Sequence, residues 1–86
     1  MFTPELVNLE SGEYVLVANH NLESESAARL SIEYNAARIA YGQRHLPAGV
    51  NKCVLVYDLR GQNVPPEVLN KIRDAFHGIH ELKMKT

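Results

Sequence analysis

The stretch "VLVYDLRGQNVPPEVL", residues 54–69, is the most ordered pattern in the chain and decides the expected fold. It opens with a continuous apolar run, which is typical of a strand covered on both faces in a parallel sheet. After a short polar connection, Pro65 and Pro66 suit the first turn of a helix, where a missing N–H costs nothing. The stretch therefore predicts a strand followed by a helix.

The residues before this stretch predict a hairpin and a long helix. Residues 6–9 and 13–18 are short apolar runs, and the turn sequence Ser11-Gly12 lies between them. Residues 24–42 have helical periodicity, with Ser24 or Ser26 as the cap and Gly42 as the end. Its apolar residues form two stripes, so we expect the helix to be half buried or to pack between the sheet and another element; the stripes are Leu30, Tyr34, Ala37 and Tyr41 in one and Ala28, Ile32, Ala36 and Ile39 in the other.

The residues after 54–69 complete the expected fold. The second helix should bury Leu69, Ile72, Ala75 and Phe76, and residues 79–85 suit a last edge strand protected by lysines. The predicted order is ββαβαβ. Right-handed crossovers then give one α/β domain over residues 1–86, with a small mixed sheet, parallel central strands and two helices packed on it.

Composition limits the classes of function. The chain has 86 residues, 45% of them hydrophobic, and a net charge of −1, so bulk positive charge does not drive any nucleic-acid binding. The single cysteine, Cys53, cannot form an internal disulfide and is expected to be a buried thiol. No apolar run reaches the roughly 18–20 residues that span a membrane, and we expect a soluble protein without a cofactor.

One group of candidate residues follows the predicted strands. Asp58, Arg60 and Gln62 come at the carboxyl end of the central strand, where open parallel sheets bind ligands. The alternative is that Asp58 opens a turn and Arg60 is solvated. His20 lies in the polar loop after the second strand and is the better candidate for a general acid or base, although a loop histidine is often only solvated.

A second group lies near the end of the first helix. Gln43, Arg44 and His45, together with Arg38, would form a small phosphate-facing patch, or the cations would simply complement the helix dipole. His77 and His80 are not expected to bind a metal, because no cysteine or third histidine stands at a convincing spacing.

The order of these features resembles a known family. The segments that carry the resemblance are "IEYNAARIAYGQ" (residues 32–43), "KCVLVYDL" (52–59), "VPPEVLNKIRDAF" (64–76) and "GIHELKMK" (78–85). They are similar to the C-terminal nuclease domains of contact-dependent inhibition and other polymorphic toxins, which are compact RNases, many of which cut tRNA. The chain departs from that pattern at Val15 and Leu16, where an acidic residue is expected.

Three hypotheses follow. The resemblance implies a metal-independent RNase, with His20, Asp58 and Arg60 as catalytic residues and Arg38, Gln43, Arg44, His45 and Gln62 binding the substrate. Its partners would be RNA such as tRNA and a cognate immunity protein; it would act in the cytoplasm after delivery within a larger secreted protein. The second hypothesis is a non-catalytic protein-binding module of the immunity or regulatory kind. The third is a scaffolding fragment of a larger enzyme.

Overall fold

The computed structural model describes residues 12–45, 49–50 and 52–86, and within them the order is βαβαβ. The elements are β1 (Glu13–Ala18), α1 (Glu25–His45), β2 (Lys52–Asp58), α2 (Pro66–Ala75) and β3 (Glu81–Lys85). The three strands form one sheet in the order β1-β2-β3, and β2 pairs in parallel with both neighbours. The domain is therefore α/β, as predicted, with β2 at the centre of the sheet.

The described sheet is parallel, so the predicted mixed sheet and ββαβαβ order are not matched there. The antiparallel part of that prediction depended on a strand at residues 6–9, which lie outside the described residues. Both pairs of neighbouring strands are instead joined through a helix, and this kind of connection makes them parallel.

The ends of α1 test two capping predictions. The Ser24 hydroxyl oxygen accepts a hydrogen bond from the Ala27 N–H at 3.2 Å, so Ser24 caps the helix as predicted. The predicted end at Gly42 is wrong, because α1 continues to His45. A Cβ at Gly42 would lie 3.2 Å from Cε2 of Tyr14, so this glycine permits close packing of the helix against β1.

The hydrophobic core lies between the sheet and both helices. Residues 53–57 of β2 are all buried, which confirms the prediction from the continuous apolar run. Tyr57 contacts Ser31 of α1 and the ring of Phe76 after α2, so the two helices share one face of the sheet. The main core side chains are Tyr14, Leu16, Leu22, Leu55, Val68 and Ile72.

One of the two apolar stripes of α1 is exposed in part. Leu30 is 66% exposed and Tyr34 is 42% exposed, so these apolar side chains do not form a buried stripe. The buried residues of α1 are Ala28, Ser31, Asn35, Arg38, Ile39 and Gly42. The polar members of this set face the core because hydrogen bonds satisfy them there, as the site geometry shows.

Candidate functional site

Two clefts flank the loop that follows β1 at the carboxyl edge of the sheet. Gln62, in the connection after β2, holds this loop in place with both ends of its amide. Its Nε2 donates to the His20 carbonyl at 2.9 Å, and its Oε1 accepts from the Leu22 N–H at 2.8 Å. Because Leu22 is fully buried, the loop is fixed both by this clamp and by the core. His20 thus sits on an anchored backbone.

A chain of side-chain hydrogen bonds leads from His20 into the interior. His20 Nδ1 lies 2.6 Å from Ser31 Oγ, which lies 2.9 Å from the Tyr57 hydroxyl oxygen. Asn35 Nδ2 donates to the same Tyr57 oxygen at 2.9 Å. Arg38 Nη1 donates to Asn35 Oδ1 at 3.1 Å and to the Val17 carbonyl at 3.2 Å. We call Ser31, Tyr57, Asn35 and Arg38 the buried polar chain.

The low exposure of the buried polar chain shifts the pKa values of His20 and Tyr57. Asn35 is 0% exposed, and Arg38, although charged, is only 9% exposed. The pKa of His20 lies below its ordinary value, first because burial disfavours the imidazolium and second because the Arg38 cation repels it. Burial also raises the pKa of Tyr57, in spite of its hydrogen bonds with Ser31 and Asn35. Both rings are therefore uncharged at neutral pH.

The first cleft lies in front of His20 and has a volume of about 430 Å³. Its lining is mainly apolar and comprises His20, Asn21, Ala27, Leu30, Ser31 and Tyr34. The Tyr34 ring contacts the His20 ring edge-on, with 5.5 Å between centroids, and the Arg38 guanidinium lies 5.4 Å from its centroid. An uncharged imidazole beside a partly exposed aromatic ring can bind a planar or polar ligand.

The second cleft, of about 360 Å³, lies on the other side of the loop and is lined by Asn19, Asp58, Arg60 and Gln62. Arg60 donates two parallel hydrogen bonds to the Asp58 carboxylate, from Nε at 2.9 Å and from Nη2 at 2.7 Å. These hydrogen bonds, with a third from the Arg60 N–H, lower the pKa of Asp58 to about 2. Asp58 is therefore a weak base that orients the guanidinium.

Three of the predicted substrate-binding residues lie at the other end of α1. Gln43, Arg44 and His45 are exposed near its carboxyl end, and Gln43 lies about 18 Å along the helix axis from Ser31. The His45 ring stacks on Tyr41 with 4.0 Å between centroids. The fold brings His20, Asp58, Arg60 and Gln62 together at one edge; Arg38 joins them through the buried polar chain.

Sequence reasoning missed three residues of the site, Ser31, Asn35 and Tyr57. Ser31, Asn35 and Arg38 stand at the spacing i, i+4, i+7, which is one face of a helix. A polar stripe at that spacing in an otherwise alanine-rich helix was the available signal. Tyr57 ends an apolar run, and its phenol was interpreted as core only.

Other features and comparisons give no further assignment. Among residues 12–45, 49–50 and 52–86, no three His, Cys, Asp or Glu side chains are grouped to hold a metal ion. No helix in the described part of the chain is long and apolar enough to cross a membrane. The chain matches no known protein family, and no curated protein or solved structure resembles it significantly.

Proposed function

We propose that this chain is a small ribonuclease domain that cleaves RNA by metal-independent phosphodiester transfer. The observation that carries the proposal is His20, whose Nδ1 is bound to the buried polar chain and whose ring lines an open cleft. A histidine that contacts the reacting atoms works best when its position and its protonation state are fixed. The clamped loop fixes the position of His20, and its lowered pKa keeps the ring uncharged at neutral pH.

RNA suits this small set of groups because it supplies its own nucleophile. The 2′-oxygen attacks the adjacent phosphorus, the bond from phosphorus to O5′ breaks, and the products are a 2′,3′-cyclic phosphate and a 5′-hydroxyl. One proton leaves the 2′-oxygen and one arrives at O5′. The protein must stabilise the negative phosphorane, which a histidine and a guanidinium can do by donating hydrogen bonds, while the proton passes from the 2′-oxygen through a phosphoryl oxygen to O5′.

The two clefts divide these roles in our proposal. His20 contacts the reacting atoms from the first cleft. Arg60, whose side chain is 66% exposed, contacts a phosphate from the second cleft, and Asp58 orients it. Gln62 acts by holding the loop of His20. Arg38 acts through the buried polar chain.

The patch at the far end of α1 fits an extended substrate. Gln43, Arg44 and His45 are too distant for the reacting phosphate, but α1 is about 32 Å long, and a folded RNA such as tRNA can contact both ends. In this proposal the domain is a toxin delivered within a larger secreted protein. It acts in the cytoplasm of the target cell and is neutralised by an immunity protein.

The test compares wild type with two histidine variants, His20→Ala and His77→Ala. His77 is a matched control because its Nδ1 also makes one hydrogen bond, to the Asp74 carbonyl, but at an exposed helix end. Purified wild type should cleave RNA, leave DNA of the same sequence intact, and produce cyclic phosphate ends. His20→Ala should lower the rate by roughly 10²–10³-fold, and His77→Ala should leave it unchanged.

Expression of the wild type and of the variants in bacteria tests the same proposal in cells, with growth and RNA integrity as the readouts. Growth arrest with discrete tRNA fragments, relieved by His20→Ala, is the expected result. The proposal fails if purified wild type leaves RNA intact, or if His20→Ala cleaves as fast as wild type.

A second candidate function is a non-catalytic protein-binding module, favoured by the exposed apolar side chains Val17, Leu30 and Tyr34. In that case size-exclusion chromatography with light scattering should show an assembly that Leu30→Ser disrupts, and RNA should stay intact. A strict monomer unaffected by Leu30→Ser would count against it.

A further inference from the structure

The directions of the hydrogen bonds from Arg38 to Asn35 and from Asn35 to Tyr57 follow from the guanidinium. A guanidinium only donates, so the Asn35 atom that faces it must be the carbonyl oxygen Oδ1. The Asn35 amide group, Nδ2, then points to the Tyr57 oxygen and donates to it. Tyr57 is therefore an acceptor from Asn35, and its own proton remains available for Ser31.

The same reasoning continues to His20. If Tyr57 uses this proton to donate to Ser31 Oγ at 2.9 Å, Ser31 donates its own proton to His20 Nδ1 at 2.6 Å. This arrangement uses each hydroxyl proton once and leaves no donor of the chain facing another donor. The neutral imidazole that accepts at Nδ1 carries its own proton on Nε2.

We propose that Ser31, Tyr57, Asn35 and Arg38 are positioning residues that hold His20 as the Nε2–H tautomer, so that its ring meets a phosphate ester as a hydrogen-bond donor. This inference rests on the proposed function and specifies the role of His20 within it. The Nε2–H group donates to a phosphoryl oxygen and stabilises the charge that develops on the phosphorane.

The other histidines provide an internal contrast. His45 Nδ1 lies 2.8 Å from the Tyr41 carbonyl, and His77 Nδ1 lies 2.7 Å from the Asp74 carbonyl. A carbonyl oxygen only accepts, so these two rings must carry their proton on Nδ1. The proton on Nδ1 thus distinguishes these two rings from the arrangement proposed for His20, and the difference depends on whether the partner donates or accepts.

The groups around His20 are consistent with this assignment. From α1 the nearby groups are Arg38 and Tyr34, and from β2 the nearby group is Tyr57; the connection after β2 contributes the uncharged Gln62. None of these is a carboxylate that would favour an imidazolium. The lowered pKa of His20, which comes from burial and from Arg38, keeps the ring in the uncharged form in which a tautomer is defined.

The test on wild type is NMR spectroscopy of ¹⁵N-labelled protein above the titration range, with two-bond couplings between ring nitrogens and carbon-bound protons. We expect the Nε2–H pattern for His20 and the Nδ1–H pattern for His45 and His77. An Nδ1–H pattern for His20 would overturn the inference. The readout does not involve RNA, so a tautomer as expected without cleavage would reject only the proposed function.

A near-isosteric variant, Asn35→Asp, should reverse the direction of the hydrogen bonds between residue 35 and His20. The introduced carboxylate still accepts from Arg38, but it now accepts from Tyr57 as well, so Ser31 donates to Tyr57 and accepts from His20. His20 should switch to the Nδ1–H pattern and titrate at higher pH than in wild type. The matched control is Asn70→Asp, because Asn70 also accepts from an arginine three residues later, Arg73, but on the surface.

Asn70→Asp should leave the pattern of His20 unchanged. If Asn35→Asp folds and His20 keeps the Nε2–H pattern, Asn35 does not set the tautomer and the inference fails. If that variant does not fold, the measurement on wild type still decides between the two tautomers.

Discussion

The two clefts at the carboxyl edge of the sheet use similar chemistry in opposite environments. In the first, Arg38 is 9% exposed, and its guanidinium acts through uncharged neighbours that reach His20. In the second, Arg60 is 66% exposed and pairs directly with a carboxylate, Asp58. Electrostatic interactions strengthen as water is excluded, so the first arrangement should dominate both the stability and the ionisation of the site.

The comparison also shows why Arg38 needs no carboxylate. Its Nη1 is satisfied by Asn35 and by a backbone carbonyl, and the Tyr34 ring lies close to the guanidinium. A buried charge held by neutral acceptors leaves a net positive potential, which favours neutral His20 and attracts an anion. The Asp58–Arg60 pair cancels most of its own charge and contributes orientation.

The largest expected effect on stability distinguishes Asn35 from Asn70, each of which accepts a hydrogen bond from the arginine three residues later. Asn35→Ala should lower the free energy of unfolding by about 2–3 kcal/mol, because it leaves buried groups of Arg38 and Tyr57 short of a partner. Asn70→Ala removes a 3.5 Å contact to Arg73 on the surface and should change the free energy of unfolding by less than about 0.5 kcal/mol. Urea denaturation of both variants measures the difference, and equal effects would contradict the contrast.

A smaller effect is expected in the pH dependence of folding stability, to which His20 of the first cleft contributes. The pKa of His20 in the folded chain lies below its ordinary value of 6.5, so the folded state resists protonation. Its contribution to stability is complete above pH 6.5 and is lost as the pH falls through the pKa of the folded state. Denaturation at several pH values should show a steeper loss for wild type than for His20→Gln. Parallel curves would contradict the lowered pKa.

The smallest effect is expected in the second cleft. The pKa of Asp58 falls from an ordinary 3.8 to about 2, so its contribution is present above pH 3.8 and is lost as the pH falls toward 2. Asp58→Asn should lower stability slightly at neutral pH, and its difference from wild type should shrink over that acidic range. High salt should also shrink it, because exposed pairs are screened. A difference that persists in acid would exclude the ion pair as its cause.

Much of the described fold was predictable because it depends on local patterns. The apolar run before Asp58 predicted a doubly covered central strand, and the two prolines predicted a helix start, which the structure places at Pro66. The end of α1 was not predictable in this way. Gly42 resembles a helix terminator locally, and only the approach of Tyr14 from β1 shows that it serves packing instead.

The site was predictable in part for a related reason. The prediction that ligands bind where strands end selected His20, Asp58, Arg60 and Gln62. These residues line the two neighbouring clefts, because the parallel topology brings the carboxyl ends of the strands to one edge. Gln43, Arg44 and His45 were grouped with them only by residue type, and the length of α1 separates them. The buried polar chain joins residues as far apart in sequence as His20 and Tyr57, so no local pattern contains it.

One binding measurement tests the central claim that the reacting phosphate of RNA meets His20. An RNA oligonucleotide with a 2′-deoxy residue at the cleavage site cannot react, and it can be titrated into labelled protein while the histidine ring signals are followed. We expect His20 to shift most, with weaker changes at His45 and none at His77. If His20 stays unperturbed while the RNA binds elsewhere, the first cleft is not the site of the reaction and the account is wrong.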